Sequence, residues 1–114
     1  MNDDRPVYLR LRDRIAAMIL EGRVGDGDPL PSVRSLAADF GANPLTVAKA
    51  YQTFQEEGLV TVKRGVGMFV APGAADRLRT AERKEFLENR WPRTVSHMRM
   101  LGLDAEDLVE RALA

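Results

Sequence analysis

Residues 31–51 read PSVRSLAADFGANPLTVAKAY, and their punctuation decides the fold. Ser32 is suited to cap a helix over residues 33–40, in which Val33, Leu36, Ala37 and Phe40 fall on one packed side. Gly41 follows at once and can take the left-handed conformation that ends a helix. Asn43 then suits a second cap, and Pro44 the first helical position, where its missing amide proton would have had no partner anyway. This next helix should run to residue 57, with Gly58 ending it. Two short helices joined by a few glycine-containing residues, the second one longer, form the helix-turn-helix pattern.

The flanking sequence supports that pattern. Upstream, Tyr8, Leu11, Ile15, Met18 and Ile19 recur at helical spacing over residues 6–21, and Gly22 stops the run. Gly25, Gly27 and Pro29 then break the chain into a turn, leaving Leu30 and Pro31 as an extended lead into the next helix. Downstream, residues 59–63 and 68–71 are β-rich and flank the turn Arg64-Gly65-Val66-Gly67, which predicts a hairpin, the wing of a winged helix-turn-helix.

Beyond it, Pro72-Gly73-Ala74-Ala75 reads as a short linker. A helical stripe resumes through Leu78, Leu87, Trp91, Val95, Met98 and Leu101 and keeps its phase across Pro92, which predicts one long helix kinked at the proline. Gly102 should stop it, and Asp104 should cap a last short helix carrying Leu108, Val109 and Ala112. The expected fold is thus mainly α with a small β-hairpin wing: a winged helix-turn-helix domain over residues 1–72 and a helical tail over 73–114. The tail's stripe has no globular domain of its own to enter. A two-fold helix interface with a second copy, through Leu87, Trp91, Val95, Met98 and Leu108, is its expected destination, the alternative being that the tail folds back on its own domain.

Composition excludes more than it identifies. The 17 basic and 17 acidic side chains cancel over the 114 residues, and they cancel again within each of the two expected domains. Total charge therefore points to no partner, and a nucleic-acid binder would need its cations gathered on one surface. The chain has no cysteine, so disulfides, thiolate metal sites and thiol redox chemistry are excluded, which suits a reducing cytoplasm. No apolar run reaches membrane-spanning length and no signal-peptide pattern opens the chain, so a soluble, unexported protein without a membrane partner is expected.

Four ordered blocks carry a family resemblance: residues 31–37, residues 43–51, Glu57-Gly58-Leu59-Val60, and residues 64–70. Together they resemble the DNA-binding domain of the GntR family of bacterial regulators over about residues 7–71. The Asn43-Pro44-Leu45-Thr46-Val47-Ala48-Lys49-Ala50-Tyr51 block, joined to a tail of about forty residues, is similar to the YtrA-like subfamily, whose two-helix tails dimerise. The resemblance implies a homodimeric repressor covering a pseudo-palindromic operator in double-stranded DNA, in the setting of a transporter operon. Larger relatives carry a C-terminal ligand-binding domain, for which this chain is expected to lack the length. Many relatives have an arginine near the recognition-helix start where this chain has Pro44 and Leu45, so the contacts there must be argued from the residues themselves.

At about 100° per residue, Val47, Ala50, Tyr51 and Phe54 fall on one side of the recognition helix, and Leu45, Ala48, Lys49, Gln52 and Glu56 on the other. An outward face that starts with leucine and alanine is a poor solvent face and a reasonable major-groove one, because thymine methyls accept apolar contacts there while Lys49 and Gln52 offer hydrogen bonds to base edges. Arg34 lies early in the first helix of the pair, where such motifs cross the phosphate backbone, and the resemblance implies a DNA-contacting arginine at this position. Ser32 and Thr46 can donate hydroxyls to phosphate near helix starts, beside Asn43, although capping alone would explain Ser32 equally. Lys63 and Arg64 present two cations at the wing tip beside Gly65, whose missing side chain allows a close approach to a groove.

Nothing in the sequence assembles a catalytic or cofactor site. His97 has no cysteine or acidic ligand pattern around it. Glu106, Asp107 and Glu110 open a capped helix, where they complement its dipole, and no nucleophile accompanies them. A small-molecule effector, held between tail and DNA-binding domain, would modify the repressor reading without replacing it. The competing class is a winged-helix protein-interaction module that uses Leu45 and Ala48 as an apolar contact.

Overall fold

A computed structural model describes residues 5–113. The elements are α1 (Val7–Leu20), α2 (Val33–Phe40), α3 (Pro44–Glu56), β1 (Val60–Lys63), β2 (Gly67–Val70), α4 (Ala74–Glu85), α5 (Trp91–Met100) and α6 (Ala105–Leu113), with a π turn over Phe86–Arg90 between α4 and α5. The helix ends follow from local chemistry. Ser32 Oγ accepts the backbone N–H of Ser35 at 3.0 Å, Asn43 Oδ1 that of Leu45 at 2.8 Å, and Asp104 Oδ1 that of Glu106 at 3.0 Å. Gly41 ends α2 at a φ of 61°, a conformation that a side chain would oppose.

The core of the first compact unit forms where α1, α2, α3 and the hairpin meet. Ile15 and Ile19 of α1, Leu36 and Ala37 of α2, and Val47, Ala50, Tyr51 and Phe54 of α3 pack with Leu59, Val60 and Val70. Arg12 closes the α1–α3 seam, with its guanidinium 5.2 Å from the Phe54 ring centroid and an ion pair to Glu57 at 3.1 Å.

The hairpin is antiparallel, with Val60 opposite Val70 and Lys63 opposite Gly67. A third edge joins it: Pro29 bridges Phe69, Leu30 N–H donates to the Met68 carbonyl at 2.9 Å, and Val70 N–H donates to the Asp28 carbonyl at 2.9 Å. The segment expected only as an extended lead therefore ties the wing to the start of α2.

Two expectations need correction. Phe40, expected on the packed side of α2, is 39% exposed and lies under the Arg14 guanidinium at 5.3 Å. Leu36 and Ala37 fill the core one turn earlier, and the last residue of this eight-residue helix reaches only an open groove that it lines with Val7 and Ala17. The four-residue linker shrinks to Pro72 and Gly73, because Ala74 begins α4 and is fully buried. Four residues on, Leu78 lies on the same helix face and is buried too, as the helical period requires. Gly73 N–H donates to Asp26 Oδ2 at 3.1 Å, and the Arg77 guanidinium donates to the Gly58 carbonyl. The first compact unit consequently extends through Arg79, and the second begins at Thr80.

In the second unit Pro92 has no N–H to return to the carbonyl of Glu88. The π turn immediately before α5 absorbs that irregularity, so the helical path continues through the proline.

The two faces of α3 predict opposite stability effects. Phe54→Ala should cost about 3–5 kcal/mol by opening a cavity in the core, whereas Leu45→Ala should stay within about 0.5 kcal/mol. Urea denaturation followed by circular dichroism measures both, and equal costs would contradict the packing described.

Candidate nucleic-acid interface

The outward face of α3 is built by its inward one. With Val47, Ala50 and Phe54 fully buried, the helical period turns Leu45, Ala48, Lys49 and Gln52 to solvent, and Leu45 is 80% exposed. Thr46, between the two faces, is half-buried. The Lys49 ammonium sits 4.1 Å from the centroid of the Tyr8 ring, so α1 sets its position.

Arg34, on the first turn of α2, is exposed and makes no ion pair among the described residues. Ser32 and Asn43 are exposed caps whose side-chain oxygens already hold backbone N–H groups of α2 and α3. At the wing tip Val66 N–H donates to the Lys63 carbonyl at 2.9 Å, and Gly65 turns the chain with a φ of 77°. Lys63 rests its ammonium 4.7 Å from the Phe69 ring centroid, and Arg64 is exposed beside it. An open groove of about 490 Å³ gathers Ser32 and Val33 with Lys63, Arg64, Gly65 and Phe69. The structure thus brings the start of α2 and the wing tip together, while Leu45, Lys49 and Gln52 form a separate strip along α3.

Three features escaped the sequence. Tyr8, assigned to the packed side of α1, is partly buried against the core as expected, and its ring also carries Lys49. The pairing of residues 28–30 with the wing joins segments about forty residues apart. Tyr51 is buried and donates its hydroxyl to the Pro31 carbonyl at 2.6 Å, fixing the residue that precedes Ser32 against α3. Burial pushes its phenol from the ordinary value near 10 up to about 12. Each depends on a neighbouring element, and only the aromatic type of each tyrosine could have hinted at a partner.

The tail residues are distributed differently. Leu87 is 54% exposed, Trp91 is exposed and stacks on Phe86 with centroids 6.3 Å apart, and Val95 and Leu108 are half-buried. Met98, in contrast, is 8% exposed and already covered by its own chain. Among the described residues no cluster of three or more His, Cys, Asp or Glu side chains is placed to hold a metal, and no helix is long and apolar enough to cross a membrane.

Residues 7–70 match the family described as bacterial regulatory proteins, gntR family. The chain is 34% identical over 108 residues to the uncharacterized HTH-type transcriptional regulator YhcF of Bacillus subtilis, spanning 93% of this chain and 86% of that protein. It is 38% identical over 73 residues to the HTH-type transcriptional repressor YtrA of Bacillus subtilis, spanning 64% of this chain and 56% of YtrA. Among solved structures, a GntR family transcriptional regulator from Listeria monocytogenes superposes with a TM-score of 0.77 at 28% identity, covering 98% of this chain and 96% of that one. The DNA-binding domain of AraR in complex with operator ORX1 superposes with a TM-score of 0.57 at 28% identity, covering 59% of this chain and 81% of that one.

The Tyr51 contact predicts an alkaline instability with a definite sign. Between pH 10 and 12 the unfolded phenol loses its proton while the folded one keeps it, so stability falls as pH rises through that window. The full loss approaches roughly 2–3 kcal/mol. Tyr51→Phe should lack that component and should cost about 1–3 kcal/mol at neutral pH, because the Pro31 carbonyl loses its donor. Denaturation midpoints measured across pH 8–12 for both proteins check this, and parallel curves would count against it.

Proposed function

The chain belongs to the GntR family of bacterial regulatory proteins, and on that footing we propose that it is a YtrA-like, sequence-specific DNA-binding transcription regulator acting as a homodimer in the cytoplasm. The observation that carries this reading is the exposed strip of α3, where Leu45, Ala48 and Gln52 stand clear of the core with no element of the first unit covering them. A helix with that exposure fits the major groove of B-form DNA, entering by its N-terminal residues.

The cations supply the sequence-independent part of binding. Arg34 on the first turn of α2 crosses the phosphate backbone, Lys49 adds charge beside the recognition strip, and Lys63 with Arg64 carries the wing tip to the adjacent minor groove. Ser32, Asn43 and Thr46 border phosphates at the helix starts, and Gly65 lets the wing backbone approach closely. The operator complex of AraR, whose domain superposes on this one, supports the same docking here.

One module buries limited DNA surface, so two copies reading half-sites about one helical turn apart provide useful specificity. Residues 1–72 carry the DNA-binding part in this reading and residues 73–114 the pairing part, although the first turns of α4 pack in the first unit. Leu87, Trp91, Val95 and Leu108 offer the second copy an apolar face, joined by exposed Phe86 and Val109. A regulator of this kind has no catalytic role, and the similarity to YtrA, named a repressor, favours repression.

Two measurements test the proposal. Arg34→Ala should weaken operator binding on all sequences and reduce the slope of log affinity against log salt by about 1, read by fluorescence anisotropy over a salt series. Trp91→Glu should convert the dimer to monomer in sedimentation equilibrium and lower DNA affinity while the first unit stays folded. An unchanged slope would remove Arg34 from the interface, and selection from random duplexes that enriches no motif would favour the protein-interaction module instead.

A further inference from the structure

The DNA-binding reading leaves open what the recognition strip distinguishes, and its chemistry is narrow. α3, with the sequence PLTVAKAYQTFQE, contains no arginine, so the bidentate guanidinium contact that most often reads guanine cannot come from this helix. Its only cation, Lys49, is held over the Tyr8 ring at 4.1 Å. That contact, a modest one at an exposed site, biases the ammonium toward the ring and toward adding charge near phosphates rather than toward a guanine edge. The remaining outward groups are Leu45, Ala48 and Gln52, at helical spacings of three and four residues, which puts them in one row along the exposed face.

Each of the three suits the same base pair. An isobutyl group and a methyl group find one apolar partner in the major groove, the C5 methyl of thymine, while a glutamine carboxamide pairs bidentately with adenine N6 and N7. The leucine is well presented. Leu45 is 80% exposed, and its backbone N–H is fixed to Asn43 Oδ1 at 2.8 Å, so the side chain leaves a rigid helix start rather than a loop. Exposing it to water gains nothing for the isolated protein, and a thymine methyl would cover it.

We infer that α3 reads A·T base pairs in each operator half-site, with Leu45 and Ala48 packed on thymine methyl groups and Gln52 on an adjacent adenine. This rests on the DNA-binding reading above and adds the identity of the bases. G·C pairs at the half-site are then left to wing and backbone contacts or go unread by α3.

The test removes single methyl groups. The full-length protein is first used to select duplexes from a random pool, and each thymine of the enriched half-site is then replaced by deoxyuridine. Wild-type protein should lose roughly fourfold in affinity at one or two of these positions, the worth of one buried methyl. Leu45→Ala should bind the parent duplex more weakly and lose less than twofold on the same replacement, whereas Leu45→Met should keep the discrimination. Because Leu45 is exposed, thermal melts should confirm that both variants fold. Gln52→Ala should relax the preference for adenine at one position. Enriched half-sites with G·C pairs throughout, or a deoxyuridine penalty that Leu45→Ala leaves intact, would overturn the inference while leaving DNA binding standing. Failure to bind any duplex in a salt-dependent way would overturn the proposed function, and this inference with it.

Discussion

Burying one side of α3 against α1 orients every α3 residue proposed to meet DNA. Val47, Ala50 and Phe54 have no exposed surface, and each large apolar side chain returned to water would cost about 1.5–3 kcal/mol. A rotation of α3 large enough to turn Leu45 inward would expose all three, so the direction of the outward row follows from the core and not from anything on the surface. Arg12 fastens the same seam from outside, lying across the Phe54 ring and reaching Glu57 at the end of α3. The recognition strip is therefore rigid before any partner arrives, which spares binding the entropy of ordering it.

The wing and the start of α2 are held to that helix by a second set of constraints, made of hydrogen bonds rather than apolar area. Tyr51 reaches from the buried face of α3 to the Pro31 carbonyl, and the next two residues are the cap and first residue of α2. On the other side, Leu30 and Asp28 bond to Met68 and Val70 of β2. One short segment, residues 28–31, thus belongs at once to the wing, to α2 and, through Tyr51, to α3. Moving any one of the three would break a bond at another, so the groove between Ser32 and Arg64 has a width set by backbone geometry.

Whatever is local in this architecture was legible in the sequence. Ser32, Gly41, Asn43 and Pro44 act through their own backbone and nearest neighbours, so the limits of α2 and α3 follow from residue type. The period of 3.6 then assigns Val47, Ala50, Tyr51 and Phe54 to the core and Leu45, Ala48, Lys49 and Gln52 to the outside. What could not be read is whatever depends on how far another element reaches. Phe40 has the right phase for the core but lies one turn beyond it. Ala74 looked like linker because alanine beside glycine carries little signal, yet its small side chain lets α4 seat closely on the first unit. The ring of Tyr8 under Lys49 and the bridge between Pro29 and Phe69 join distant segments, and no periodicity encodes such pairs.

Net charge illustrates the same division between sums and positions. A chain with equal numbers of acids and bases is a poor candidate for a polyanion until its ion pairs are located. The described pairs are Arg5 with Asp13, Arg12 with Asp13 and Glu57, Arg23 with Glu21, and Arg79 with Asp76. None of them uses Arg34, Lys49, Lys63 or Arg64. Two of these four cations instead rest on aromatic rings, and a ring differs from a carboxylate in what it takes from an ammonium: it fixes the position without neutralising the charge. Several acids that cancel the total are thus matched to cations outside the proposed surface, and the four basic groups proposed to meet phosphate take part in none of those pairs. A neutral protein can in this way present a locally cationic face, with its acids serving to restrict where a polyanion can settle.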